Sequence, residues 1–175
     1  YIARGNFDEA LNRAQQNLSK NPDSAVASLL IATVYFASSD IKAASAAFER
    51  TIELDSSNVA ANTALSAIAT KAGDLDKAIQ YYQAILVEHP AHWPTLLKLA
   101  NAKGGLGDPV GKTTALESAV SLNPNALQPR ISLSQDYFSN GHPGKVTPLL
   151  IEMRARYPAN LQLPTLLGDA YYLNR

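Results

Sequence analysis

Helix breakers recur along this chain on a fixed grid. Gly5, Gly73, Gly107 and Gly141 stand 34 residues apart or at a multiple of it, with Ser39 in the one slot that lacks glycine. Pro22, Pro90, Pro124 and Pro158 fall on the same grid displaced by about half a period, with Ser56 in the slot that lacks proline. The two interleaved sets cut the chain into segments of about 14 residues, the length of an ordinary helix. A chain of 175 residues could form one compact domain, but the fixed period predicts a stack of helix-turn-helix units.

Side-chain size follows the same grid. Ile31, Leu65, Leu99, Leu133 and Leu167 form one column, and the small residues Ala32, Ser66, Ala100, Ser134 and Gly168 form the next. Tyr35, Tyr137 and Tyr171 share a third column, which Ala69 and Lys103 interrupt. In the second helix of each unit Ala10, Ala44 and Ala78 are small, and Ala14, Phe48, Tyr82, Leu116 and Leu150 follow four positions later. Small residues let two helices approach and large ones fill the space beside them, so every column is expected at a helix contact.

In this order of large apolar residue, Leu, small residue and Tyr, then Ala, aromatic and Pro, the chain resembles the tetratricopeptide repeat family. The resemblance covers the whole chain and is best over Ser28 to Ser56 and Asn62 to Pro90. It implies an all-α, right-handed α-solenoid with frames at 25–58, 59–92, 93–126 and 127–160, and half repeats at 1–24 and 161–175. Neither half repeat has a polar capping element, so a segment of a longer protein is expected. Repeats three and four depart from the pattern. Lys112 and Val146 stand where the small Ala belongs, and Pro148 falls inside a second helix, where it is expected to kink the helix and unsettle the register.

The stretch GGLGDPVGKTT, Gly104 to Thr114, imitates a phosphate-binding loop. That loop needs four residues between its first glycine and the Gly-Lys-Thr, whereas Gly107 leaves three and Gly105 leaves five. The preceding run WPTLLKLANA is amphipathic and helical rather than a buried strand. A turn between helices is expected, with a positive φ at the glycine and Pro109 opening the next helix, and no nucleotide cofactor. His89 and His92 also read as turn residues, since their spacing does not place them on one helix face and no third ligand is near. No nucleophile elbow or paired carboxylate stands out, so no catalytic residues are assigned and an enzyme is not expected.

Composition narrows the partners. Fifteen Lys and Arg balance fifteen Asp and Glu without a basic stripe, which leaves a sequence-independent grip on nucleic acid without an electrostatic basis. No apolar run reaches the roughly 18 residues of a membrane span, and the chain has no cysteine for a disulfide or thiolate site.

A protein or peptide partner remains. The resemblance implies that the first helices of the units line a concave groove. Its expected lining includes Thr33, Phe36, Thr63, Lys98, Asn101, Gln128, Ile131, Gln135, Phe138 and Tyr172, with Leu29 and Leu97 beside them. Phe36, Lys98, Asn101, Gln135, Phe138 and Tyr172 are the expected anchors, because aromatics supply most interface energy and amides can satisfy a partner's backbone. A neutral lining implies weak salt dependence. Leu29, Leu97 and Ile131 could equally pack against neighbouring helices. The rival readings are an architectural module that self-associates, which would make a homo-oligomer, and a nucleotide-binding or hydrolytic enzyme. Turns such as GDPVGK and GHPGKV are also similar to repeats of bacterial envelope lipoproteins linked to exosortase (PEP-CTERM) and exopolysaccharide systems. That likeness implies an extracytoplasmic place in a bacterial envelope.

Overall fold

The turns carry the architecture, and the grid residues explain why. In a computed structural model describing residues 6–174, Gly73, Gly107 and Gly141 have φ of +80°, +75° and +73°. Ser39, in the slot without glycine, adopts the same left-handed conformation at φ +66°. Gly5 lies outside the described residues. Each of these residues ends a helix in the same way: the next amide donates back five residues, from Asp40 to Tyr35 O (2.9 Å), Asp74 to Ala69 O (2.9 Å), Asp108 to Lys103 O (3.0 Å) and His142 to Tyr137 O (2.7 Å). The aspartates then start the following helix. Asp40, Asp74 and Asp108 accept from the amides of Ala43, Lys77 and Gly111, satisfying a donor that the first helical turn leaves unpaired. His142 makes no such cap.

Helices fill the intervals. The first compact unit, Tyr1–Pro90, contains α1 (Phe7–Lys20), α2 (Ala25–Ala37), α3 (Ile41–Leu54), α4 (Val59–Ala72) and α5 (Leu75–Glu88). Consecutive helices pack in pairs, and at the α2, α3 and α4 contact Ala32, Ala44, Phe48, Ala61 and Leu65 form a buried cluster. The second unit, Ala91–Arg175, contains α6 (Trp93–Gly105), α7 (Pro109–Leu122), α8 (Leu127–Ser139), α9 (Val146–Arg156) and α10 (Gln162–Leu173). It too packs its helices in sequence order. Among the described residues no strand occurs and no helix is long and apolar enough to cross a membrane.

The columns behave as side-chain size demands. Ile31, Leu65, Leu99, Leu133 and Leu167 are all buried, as are Ala32, Ser66, Ala100 and Ser134. The aligned Phe48, Tyr82, Leu116 and Leu150 are buried as well. Gly168 and Tyr171 do not follow their columns and are exposed on α10, on positions that a following helix covers in the earlier repeats.

Two expectations are corrected. Gly104 and Gly105 belong to the last turn of α6, so the turn proper is only Leu106 to Asp108. Pro148 does not sit within a helix interior. A 3-10 turn, Pro143–Lys145, replaces the first α-helical turn, and α9 starts at Val146. Pro148 thereby occupies the opening turn of α9, where a missing N–H forfeits no intrahelical bond.

Candidate functional site

Lys112 is the residue through which the repeat pattern and the surface meet. It stands in the column of Ala44 and Ala78, which are fully buried, so its long side chain has to be accommodated. Gly104 provides the room: a Cβ there would lie 2.9 Å from Lys112 Cδ. The ammonium then reaches Asp136 of α8, with Nζ 2.9 Å from Oδ1. Asp136 is itself anomalous. It shares a column with Val34, Ala102 and Ala170, all buried and apolar, and its own side chain is only 2% exposed.

A buried carboxylate needs donors, and Asp136 has them. Besides Lys112, Thr113 Oγ1 donates to Oδ2 at 2.5 Å and Asn140 Nδ2 donates to the same oxygen at 3.1 Å. The Lys and first Thr of the Gly-Lys-Thr stretch are thus engaged by one acid on the next helix. Gly111 has its own structural role, its amide donating to Asp108 at 2.7 Å.

Around Lys112 opens a cleft of about 300 Å³ among α6, α7 and α8. Leu97 and Leu116 supply its apolar part, and Asn101, Gln128, Ser132, Gln135 and Ser139 supply its polar rim. The side chains of Asn101, Gln128 and Gln135 are exposed. Amide side chains offer two donors and a carbonyl acceptor each, which matches the alternating N–H and C=O of an extended backbone.

Thr113 and Asn140 also border a second, more open hollow of about 400 Å³ with Glu117, Tyr137 and His142. There Tyr137 donates to Glu117 Oε1 at 3.0 Å, and Lys145 Nζ lies 5.0 Å from its ring centre. Burial, then the hydrogen bond to Glu117, pushes the Tyr137 hydroxyl up to about 12.

The expected lining divides by place. Asn101, Gln128 and Gln135 come together in the cleft, whereas Lys98 is exposed outside it and Phe138 is half-buried and outside it. Tyr172 lies exposed on α10. Ile131 is buried in the core rather than on the lining, and Leu29 packs half-buried against the α2–α4 cluster. In the first unit Thr33, Phe36 and Thr63 are exposed on α2 and α4. Phe36 also packs edge-on against Phe48, with ring centres 6.1 Å apart, so part of its ring is spent on the fold. Lys112, Ser132 and Asp136 were not among the expected lining residues. The signal for Lys112 and Asp136 was a paired irregularity: a cation and an acid, each in a small or apolar column, in consecutive repeats.

His92 is a turn residue with a partner of its own, its Nδ1 lying 2.8 Å from Thr95 Oγ1.

Helix pairs of this period, with left-handed turns and these columns, call for comparison with known repeats. The tetratricopeptide repeat family model matches residues 1–44 and 29–92. The chain belongs to the tetratricopeptide repeat family. Solved structures share the fold of this repeat protein at low identity. A tetratricopeptide repeat protein from Parabacteroides merdae superposes with a TM-score of 0.73 at 14% identity, over 99% of this chain and 69% of that one. YrrB, described as having an unusual peptide-binding site, gives 0.71 at 17% identity, over 92% and 83% of the two chains. MamA gives 0.70 at 18% identity, over 89% and 94%. Among curated protein sequences, none matches the chain. The likenesses show an all-α solenoid of helical repeats, and the columns above are the packing positions of the tetratricopeptide repeat.

Proposed function

We propose that this tetratricopeptide repeat chain is a protein-interaction scaffold, not a catalyst, and that the α6, α7 and α8 cleft holds an extended peptide segment of its partner. The observation that carries this is the convergence of Asn101, Gln128 and Gln135 on one cleft that also holds Leu97 and Leu116. The peptide-binding site ascribed to the structurally similar YrrB supports the same reading. The test is selection of short random peptides displayed on phage against the immobilised protein, followed by titration calorimetry with a synthesised winner. Asn101→Ala with Gln135→Ala is expected to weaken binding by about 2 kcal/mol, the scale of a hot-spot truncation, with helicity unchanged. Failure to select any binding peptide overturns the reading.

An extracytoplasmic role in envelope or exopolysaccharide assembly is the finer form of this proposal, supported by the GDPVGK and GHPGKV turns. Fractionation of the source organism tests it, and recovery of the protein only in the cytosol rejects it.

A further inference from the structure

The cleft pairs one cation with amides and keeps its acid out of reach. Lys112 has a side chain 31% exposed, whereas its partner Asp136 is 2% exposed. Asp136 is also saturated, because Thr113 and Asn140 both donate to its second oxygen. An ammonium carries three N–H donors, and the single contact to Asp136 leaves Lys112 with others for a ligand. Asn101, Gln128 and Gln135 add more donors on the same rim, and Asp136 is the only carboxylate among the described lining residues. A visitor therefore meets the positive end of the ion pair together with amide N–H groups. The complementary group is a carboxylate.

We propose that this cleft receives the side-chain carboxylate of an aspartate or glutamate within an extended peptide, with Lys112 as the residue that binds it. The proposal rests on the reading of the cleft as a peptide site and adds what that peptide carries. An internal acid is favoured over a chain-terminal one by the distribution of amides. Asn101 lies on α6 and Gln128 and Gln135 on α8, so backbone can be held on both sides of the anchored residue. Asp136 prepares the site as well: it draws the Lys112 stem across Gly104 and fixes the ammonium in the cleft. One exposed charge contact keeps the salt dependence shallow.

The test uses peptides selected from the phage library against the whole protein. Enrichment of an internal Glu or Asp is expected. For a winner synthesised with both ends blocked, Glu→Gln is expected to weaken binding about tenfold, as loss of a charge-assisted hydrogen bond does. Lys112→Ala alone leaves Asp136 buried without its cation. The informative variant is therefore Lys112→Ala with Asp136→Ala, which restores the residues found at the equivalent positions 44 and 102. This double variant is expected to stay helical, to bind the acidic peptide about tenfold more weakly, and to bind the Glu and Gln peptides equally. Selected peptides that show no acidic enrichment overturn the proposal while leaving the scaffold reading intact. So does equal affinity of the parent for the Glu and Gln peptides. If unblocking the C-terminus strengthens binding and the internal acid is dispensable, the carboxylate is terminal and the proposal fails. Failure to select any peptide removes both readings.

Discussion

At the residue scale the two anomalies are Ser39 and the Lys112–Asp136 pair. Ser39 holds φ at +66°, a conformation that costs an L-residue roughly 1 kcal/mol and glycine almost nothing. Ser39→Gly is expected to raise the unfolding free energy by about 0.5 kcal/mol or more, reduced from the full strain by the looser unfolded chain. Urea denaturation checks the sign. Gly73→Val should do the reverse, since nothing crowds a Cβ there and the cost is backbone strain alone. The ion pair predicts a different pattern. Lys112→Ala leaves Asp136 nearly fully buried with only its neutral donors, an expected loss of about 3 kcal/mol. Adding Asp136→Ala should recover most of that loss, because burying two charges roughly offsets their attraction. A loss in the double variant equal to the sum of the two single losses would show that the two groups are not energetically coupled.

Elements place these residues, and their ends were the easiest part of the chain to read. Proline and glycine constrain φ directly, so the turns are visible without tertiary contacts. The exception was α9, where Pro148 suggested a kink and the chain instead shortened the helix behind a 3-10 turn. Pro148→Ala is therefore expected to change stability by no more than about 0.5 kcal/mol, whereas relief of an interior proline would add about 3 kcal/mol. Across the α7 and α8 contact, Tyr137 predicts the alkaline behaviour. Its hydroxyl is raised from 10.0 to about 12, so folding favours the protonated form. That contribution is full below pH 10 and is lost as the pH rises towards about 12. Stability measured across this window should fall less steeply in Tyr137→Phe than in the parent.

For the whole molecule, stability comes from many equivalent helix contacts, each visible as a column. Leu99 is 7% exposed, and Leu99→Ala is expected to cost about 2 to 5 kcal/mol by chemical denaturation. A change within about 0.5 kcal/mol would instead place that column on the surface. Period, turn residues and side-chain size were all written locally, at spacings a helix pair imposes. They determined an all-α repeat fold and which faces of the helices touch. The cleft required more. Asn101 and Gln135 could be read as a common lining because they share one grid column, with Gln128 in a neighbouring lining column about two helical turns from Gln135. The same grid placed Ile131, Phe138 and Tyr172 on the lining but did not give their burial, which depends on what neighbouring helices cover. Lys112 and Asp136 each look like a local defect in their own repeat. Only the packing of α7 against α8 brings the ammonium within 2.9 Å of the carboxylate and turns two misfits into the floor of a site. A contact across 24 positions depends on how two helices are set side by side, and local periodicity does not encode that distance.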